Sequence, residues 1–214
     1  SRAGQQPMVD AALGLSLVFN GCIYNYRELR GELEADGFGF FSSSDSEVIL
    51  KAYARWGIHC VDHLMGMFAF VIVERDSGRV VLGRDRLGIK PLYVSRAAGR
   101  LRVASTLPAL VAGGDLDTSI DPVALHHYMT FHSVVPAPLT VLSGVQKLPP
   151  ATVRVIERDG QEADHVYWEP SFMRPLERCS KEEWGERVLD ALRTAVERRM
   201  VADVPVGVLL SGGI

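Results

Sequence analysis

The spacing of apolar residues changes several times along the chain, and each change predicts a different element. Residues 15–19 are largely apolar and predict a strand that ends at Asn20-Gly21. A helix over about residues 25–35 should follow, with Leu29 and Leu33 on one face. A second helix, with Asp45 at its N-cap, is expected to carry the apolar residues Ile49, Ala52, Tyr53 and Trp56 on one face.

Three pairs of short apolar segments, each pair separated by a Gly-containing turn, predict β-hairpins. These pairs are 67–74 with 79–84, 92–95 with 101–104, and 152–157 with 162–168. Only short helices and a Pro-rich stretch separate the second hairpin from the third. Hairpins combined with separate helices indicate an α+β domain.

The pattern changes again after residue 170. Ser180 and Glu183 have the spacing of a capping box, and an amphipathic helix should follow them. The apolar run 204–210 comes next and predicts a buried parallel strand. We therefore expect two domains, over residues 1–170 and 180–214. The helix should face a core with the stripe formed by Trp184, Val188, Leu192, Val196 and Met200.

The chain ends in a glycine-rich segment with the composition of a phosphate-binding turn. Glycines let the backbone approach a phosphate closely, and the N–H groups of such a turn attract the anion. The helix that should follow is missing, and the chain begins with Ser rather than Met. We therefore expect a piece of a longer protein, in which nucleotide would be bound by Leu210, Ser211, Gly212 and Gly213.

Charge and cysteine content exclude several classes of function. The net charge of -3, without a basic cluster, argues against a nucleic-acid partner, and no apolar stretch is long enough to span a membrane. Cys22, Cys60 and Cys179 are odd in number and widely spaced, which favours a reducing, cytoplasmic environment. Cys60 and His63 have a ligand-like spacing without a second half elsewhere, so no metal site is predicted.

Two short stretches carry candidate chemistry, and each has a structural alternative. Asn20-Gly21 is a common tight-turn dipeptide, but an Asn amide beside a Gly N–H is also a ready oxyanion hole. Asp45 can cap a helix, and its carboxylate can also pair with the ammonium group of a ligand. The charged run 84–93 between two strands predicts a buried ion-pair corner with a structural role.

Taken in order, these stretches resemble the glutamine-dependent asparagine synthetase family. The resemblance covers nearly the whole chain, and its specificity lies in the combined set of motifs. The matching segments are 17–21, 23–29, 44–49, 66–70, 84–93, 147–150 and 204–213.

The resemblance implies an N-terminal-nucleophile hydrolase fold, a four-layer αββα sandwich that lacks its first segment here. The first helix and strand of a parallel α/β ATP-pyrophosphatase domain would follow. In this family a terminal Cys attacks the side-chain amide of glutamine and releases ammonia. At a second site ATP and magnesium activate an acceptor carboxylate, such as that of aspartate, and the resemblance also admits a homodimer.

The resemblance also implies residue roles and departures from them. Asn20 and Gly21 would bind glutamine and hold the oxyanion, Asp45 would hold its α-ammonium, and residues 210–213 would approach AMP and pyrophosphate. The terminal Cys and the end of the nucleotide loop are absent, so the chain as it stands should be inactive. Cys22 occupies the position where most relatives have Glu.

Three alternatives remain open for the function. Cys22 and the segments 126–128 and 131–138 are similar to a subgroup that amidates an acetylated glutamine dipeptide. A degenerate glutaminase fold kept for binding or assembly is the second alternative. An amidotransferase coupled to a sugar or phosphoribosyl synthase is disfavoured by the Ser-Gly-Gly turn after a strand.

Overall fold

The structure, a computed structural model, describes residues 4–173, 179–202 and 205–207. Its strands are β1 (Met8–Asp10), β2 (Leu15–Ile23), β3 (Gly66–Glu74), β4 (Val80–Arg84), β5 (Tyr93–Ala97), β6 (Arg100–Ala104), β7 (Gln146–Lys147), β8 (Thr152–Ile156) and β9 (Glu162–Val166). Its α-helices are α1 (Tyr26–Ala35), α2 (Asp45–Trp56), α3 (Cys60–His63), α4 (Leu107–Ala112), α5 (Pro122–Thr130) and α6 (Lys181–Arg199).

The chain divides into two compact units, Ser1–Glu169 and Pro170–Ile214. In the second unit, α6 begins with the predicted capping box, in which Ser180 Oγ accepts from Glu183 N–H and the Glu183 carboxylate accepts from Ser180 N–H. The apolar stripe of α6 is solvent-exposed. Residues 205–207 have no regular secondary structure, and the remainder of the predicted strand 204–210 falls outside the described residues.

The first unit contains two antiparallel sheets. The larger has the order β1-β2-β3-β4-β8-β9, and the smaller has the order β6-β5-β7. All three predicted hairpins form, as β3–β4, β5–β6 and β8–β9. Strand β3 is buried along most of its length and is therefore a nearly continuous apolar run, since both of its faces are covered.

Two apolar clusters show how the helices and sheets of the first unit pack in layers. The first packs α1 and α2 against one face of the larger sheet, through residues that include Leu33, Ile49 and Phe70. The second fills the space between the two sheets, where Val71 and Leu82 meet Val94. Helix α4 contacts β5 and β6 of the smaller sheet. This order gives the predicted αββα arrangement. No helix in the described ranges is long and apolar enough to cross a membrane.

The charged corner after β4 is built differently from the predicted ion pair. Arg84 and Asp85 are both buried, but each is satisfied by backbone groups. The Arg84 guanidinium donates to three carbonyl oxygens, and the Asp85 carboxylate accepts from four backbone N–H groups. Arg84 is the last residue of β4 and Asp85 begins the turn that follows, so the backbone of this turn supplies partners to both charges.

Candidate functional site

Strand β2 is longer than its sequence pattern predicts. It continues through Asn20, Gly21 and Cys22 to Ile23, so Asn20-Gly21 is not the predicted strand end. Gly21 does not have a positive φ, so a left-handed backbone is not the reason for a glycine here. The reason is that β3 approaches the backbone closely at this position. A Cβ at Gly21 would overlap the Met67 carbonyl oxygen and lie 2.8 Å from Phe68 Cα. The missing side chain therefore lets the ladder with β3 continue through the dipeptide.

The outer edge of β2 carries N–H groups at every second residue. Phe19 N–H donates to Gln6 Oε1 at 2.7 Å, and Ile23 N–H donates to Asp45 Oδ2 at 3.1 Å. Gly21 lies midway between them, and the alternation of an antiparallel ladder directs its N–H to the same edge. Strand β1 pairs only with residues 15–17, further back along β2. Within the described ranges, the Gly21 N–H is thus a donor without a protein partner, between two donors that have one.

Asn20 supplies a second donor beside this N–H. It is solvent-exposed, and no hydrogen bond to its side-chain amide occurs among the described residues. Its neighbour across the ladder is Ala69, whose small side chain leaves space on that face. Asn20 and Gly21 therefore present two neutral N–H donors from adjacent residues of one strand.

Asp45 lies at the start of α2, but it is not the N-cap. Ser44 has the extended backbone of an N-cap, and its Oγ accepts from Ser46 N–H at 3.2 Å. A Ser-Asp-Ser sequence offers adjacent capping side chains, and the chain uses the first. Asp45, the first helical residue, is therefore free to reach the N–H of Ile23 on β2.

The Asp45 carboxylate is partly buried without a cation. Burial raises its pKa above the ordinary value, and the N–H groups of Ile23 and Ser46 offset part of that rise. Among the residues that the structure describes, no Lys, Arg or His forms an ion pair with it. Such a carboxylate is suited to accept an ammonium group from a ligand.

Glu47 holds the loop that leads to Asp45, a role that the sequence analysis did not anticipate. Its side chain is fully buried and accepts from Phe41 N–H at 2.8 Å and Ser42 N–H at 2.6 Å. Arg30 Nη1 donates to Ser42 O at 2.6 Å from the other side. Ser44 and Glu47 have capping-box spacing, which is the signal that could have drawn attention to Glu47, although its partners lie further upstream.

Glu47→Ala should destabilise the protein by about 3 kcal/mol, because two backbone donors lose their only carboxylate partner. Urea unfolding followed by circular dichroism measures the change. Glu157→Ala is the control, since Glu157 forms an exposed pair with Arg79 and should contribute less than about 1 kcal/mol. Equal losses in the two variants would contradict the role given to Glu47.

Cys60 and Cys22 differ in burial and in their distance along the chain from the candidate site. Burial raises the pKa of the Cys60 thiol to about 12, so this group stays neutral at physiological pH. Cys22 is half-buried on β2, directly after the Asn20-Gly21 pair. No group of three or more His, Cys, Asp or Glu side chains in the described ranges is placed to hold a metal ion.

The structure thus brings Asn20, Gly21 and Asp45 to one end of β2, through the bond between Ile23 and Asp45. The nucleotide-binding residues predicted at 210–213 lie outside the described residues. The sequence analysis did not anticipate the role of Gln6, whose Oε1 accepts from Phe19 N–H. Nothing in the sequence around Gln6 indicates a contact with a strand edge thirteen residues away.

Two protein families match this chain. Residues 1–168 match the family described as glutamine amidotransferase domain, and residues 187–214 match the asparagine synthase family. The glutamine-hydrolysing asparagine synthetase 1 of Bacillus subtilis is 37% identical over 99% of this chain and 33% of its own length. Amidase chry2 of Gibberella zeae is 34% identical over 100% of this chain and 31% of its own length. The chain spans about a third of the length of these relatives.

Among solved structures, glutamine phosphoribosylpyrophosphate amidotransferase from Bacillus subtilis has a TM-score of 0.52 at 20% identity, over 77% of this chain and 32% of that one. At this identity the likeness concerns the fold alone, and it confirms the N-terminal-nucleophile hydrolase sandwich. The chain therefore belongs to the glutamine amidotransferase domain family, and the expected relationship to the glutamine-hydrolysing asparagine synthetases is confirmed.

Proposed function

We propose that this chain is the glutamine-binding part of an ATP-consuming amide ligase, which moves the amide nitrogen of glutamine to an adenylated carboxylate. The observation that carries the proposal is the edge of β2. There, among the described residues, the Gly21 N–H has no protein partner and lies two residues from an N–H held by the Asp45 carboxylate, which pairs with no cation in those ranges. Two residues of a strand span about 7 Å. An extended glutamine has its amide at one end and its α-ammonium at the other, so one end can lie at the Gly21 N–H while the other lies at Asp45.

In the proposed reaction, Asp45 binds the α-ammonium of glutamine and so fixes the position of the side-chain amide. A cysteine thiolate then attacks the amide carbon, and the C=O electron pair moves onto oxygen. Asn20 Nδ2–H and Gly21 N–H donate to that oxyanion. The C=O bond re-forms as the C–N bond breaks, and the proton that the α-amino group of the cysteine took from its own thiol passes to the nitrogen, which leaves as ammonia. Water then hydrolyses the thioester, which releases glutamate and restores the thiol. The nucleophile is a terminal Cys that the family resemblance places outside this chain.

The second half of the reaction rests on the asparagine synthase match over residues 187–214. We assign residues 1–170 to the glutaminase domain and residues 180–214 to the start of the ATP-binding domain. ATP with magnesium would activate the acceptor carboxylate there, beside Leu210, Ser211, Gly212 and Gly213. These four residues lie outside the described ranges.

Aspartate is the acceptor that the named relatives support best, and an acetylated glutamine dipeptide is the alternative. The test uses the full-length protein with glutamine labelled with ¹⁵N at its amide, ATP, magnesium and either acceptor. We expect ¹⁵N-asparagine and AMP in equal amounts. Label found only in the amidated dipeptide would select the alternative acceptor.

A non-catalytic glutaminase module is the second candidate, and Cys22 is the observation that favours it. The Cys22 thiol follows the oxyanion pair directly on β2, at a position where the family resemblance leads us to expect a carboxylate. Calorimetry and an ammonia-release assay on the full-length protein together separate the candidates. A non-catalytic module would bind glutamine in the calorimeter but release no ammonia from it.

A further inference from the structure

Asn25 stands at the start of α1, but its side chain does not cap that helix. It is the N-cap residue by position, with φ -97° and ψ 24° instead of the usual extended conformation, and it forms no side-chain cap hydrogen bond. Asn is among the residues that most often cap helices through the side chain. Its amide is therefore committed to some other task.

That task is a bridge to the segment that precedes β3. Asn25 Nδ2 donates to His63 O at 3.0 Å, and Asn25 Oδ1 accepts from Met65 N–H at 2.9 Å. Next to this pair, Tyr24 N–H donates to Met65 O at 2.7 Å. The side-chain amide thus imitates a backbone peptide group and adds two hydrogen bonds beyond the last ladder pair, Ile23 with Gly66.

This bridge lies at the end of β2 where support is weakest. Strand β1 covers β2 only over residues 15–17, so from residue 18 onward β3 is the single neighbour of β2 among the described strands. The donor of Gly21 and the donor of Ile23 both lie in this one-sided stretch. A shift of this strand end would move the oxyanion donor and the anchor of Asp45 together.

We infer that Asn25 is a positioning residue for glutamine hydrolysis: its bridge to His63 and Met65 fixes the end of β2, and with it the Gly21 N–H and Asp45. The inference rests on the proposed function. It assigns Asn25 no contact with the substrate, so its effect must pass through the strand.

Two substitutions distinguish this role from helix capping. Asn25→Ala removes both the bridge and any capping, whereas Asn25→Ser keeps a side chain that caps helices well but is too short to reach both backbone groups. In the full-length protein we expect both variants to lower kcat for ammonia release from glutamine by about tenfold or more, since small misplacements of catalytic donors are costly.

The matched control is Ser77→Ala. Ser77 Oγ also forms two hydrogen bonds, to Glu74 and from Arg79 N–H, but at the opposite end of β3. We expect its kcat to equal that of the wild type. Activity restored by Asn25→Ser, or an equal loss in Ser77→Ala, would overturn the inference.

Amide hydrogen exchange in the ¹⁵N-labelled chain provides a readout that does not depend on catalysis. In Asn25→Ala, the amides of Ile23 and Tyr24 should exchange at least about tenfold faster than in the wild type, while the amide of Leu17 keeps its rate. If the wild type releases no ammonia, the proposed function fails, and exchange alone decides the role of Asn25. Unchanged exchange at Ile23 and Tyr24 would reject that role whatever the activity.

Discussion

Asn20→Ala should lower kcat for ammonia release from glutamine by about 100-fold to 1,000-fold in the full-length protein. Loss of one oxyanion donor typically removes about 3 to 4 kcal/mol of transition-state stabilisation. The amide of Asn20 has no partner among the described residues, so no hydrogen bond within those residues must break before it can donate to the oxyanion. The Gly21 N–H remains in the variant and accounts for the residual rate.

Steady-state kinetics should separate this effect from one on binding. KM should change by less than about threefold, because the oxyanion exists in the transition state and not in bound glutamine. Val18→Ala is the control, since Val18 is exposed two residues earlier on the same face of β2. Unchanged kcat in Asn20→Ala, or an equal fall in Val18→Ala, would remove Asn20 from the oxyanion role.

Asp45→Asn should raise KM for glutamine by about 100-fold with a much smaller change in kcat. The amide oxygen of Asn can still accept from Ile23 N–H, so the link between α2 and β2 survives. The variant loses the negative charge, and a hydrogen bond to a charged group contributes about 1.5 to 3 kcal/mol. Asp36→Asn is the control, because that exposed carboxylate pairs with Arg55 on the protein surface.

The same carboxylate should make glutamine affinity depend on pH. Burial raises the pKa of Asp45, and only its ionised form attracts the ammonium. Affinity should therefore be full above that raised pKa and decline as the pH falls through it, beginning at a higher pH than an ordinary Asp with a pKa near 3.9 would cause. Calorimetric titrations at several pH values measure this decline. An identical decline in Asp45→Asn would show that another group is responsible.

The strand that carries the site shows where local pattern reading stops. The apolar run to Phe19 correctly predicted β2, but Asn20-Gly21 carried a turn signal, and the strand in fact continues to Ile23. The turn propensity of that dipeptide is overridden because Gly21 allows β3 to approach closely. The backbone hydrogen bonds of the β2–β3 ladder then offset the local preference for a turn. The turn or strand propensity of single residues does not predict which strand will pair with them.

Charged residues show the same division. The sequence located Asp45 at the expected start of a helix and a charged run over residues 84–93 between two predicted strands. It placed Asp45 at the N-cap and predicted ion pairing within the run, whereas Ser44 is the cap and backbone groups satisfy both Arg84 and Asp85. Partner choice depends on side-chain direction and on what the fold brings within about 3 Å, and neither is encoded by spacing along the chain.

Local sequence patterns were enough to predict the hairpins, the helices, the family resemblance and the residue types of the site. These follow from periodicity, turn chemistry and motif order, which act over a few neighbouring residues. Only the packed fold shows that the N–H of Gly21 has no protein partner among the described residues and lies between the donors held by Gln6 and Asp45. That arrangement joins residues 13 and 22 positions apart, so it exists only once the sheet edge and α2 have packed together.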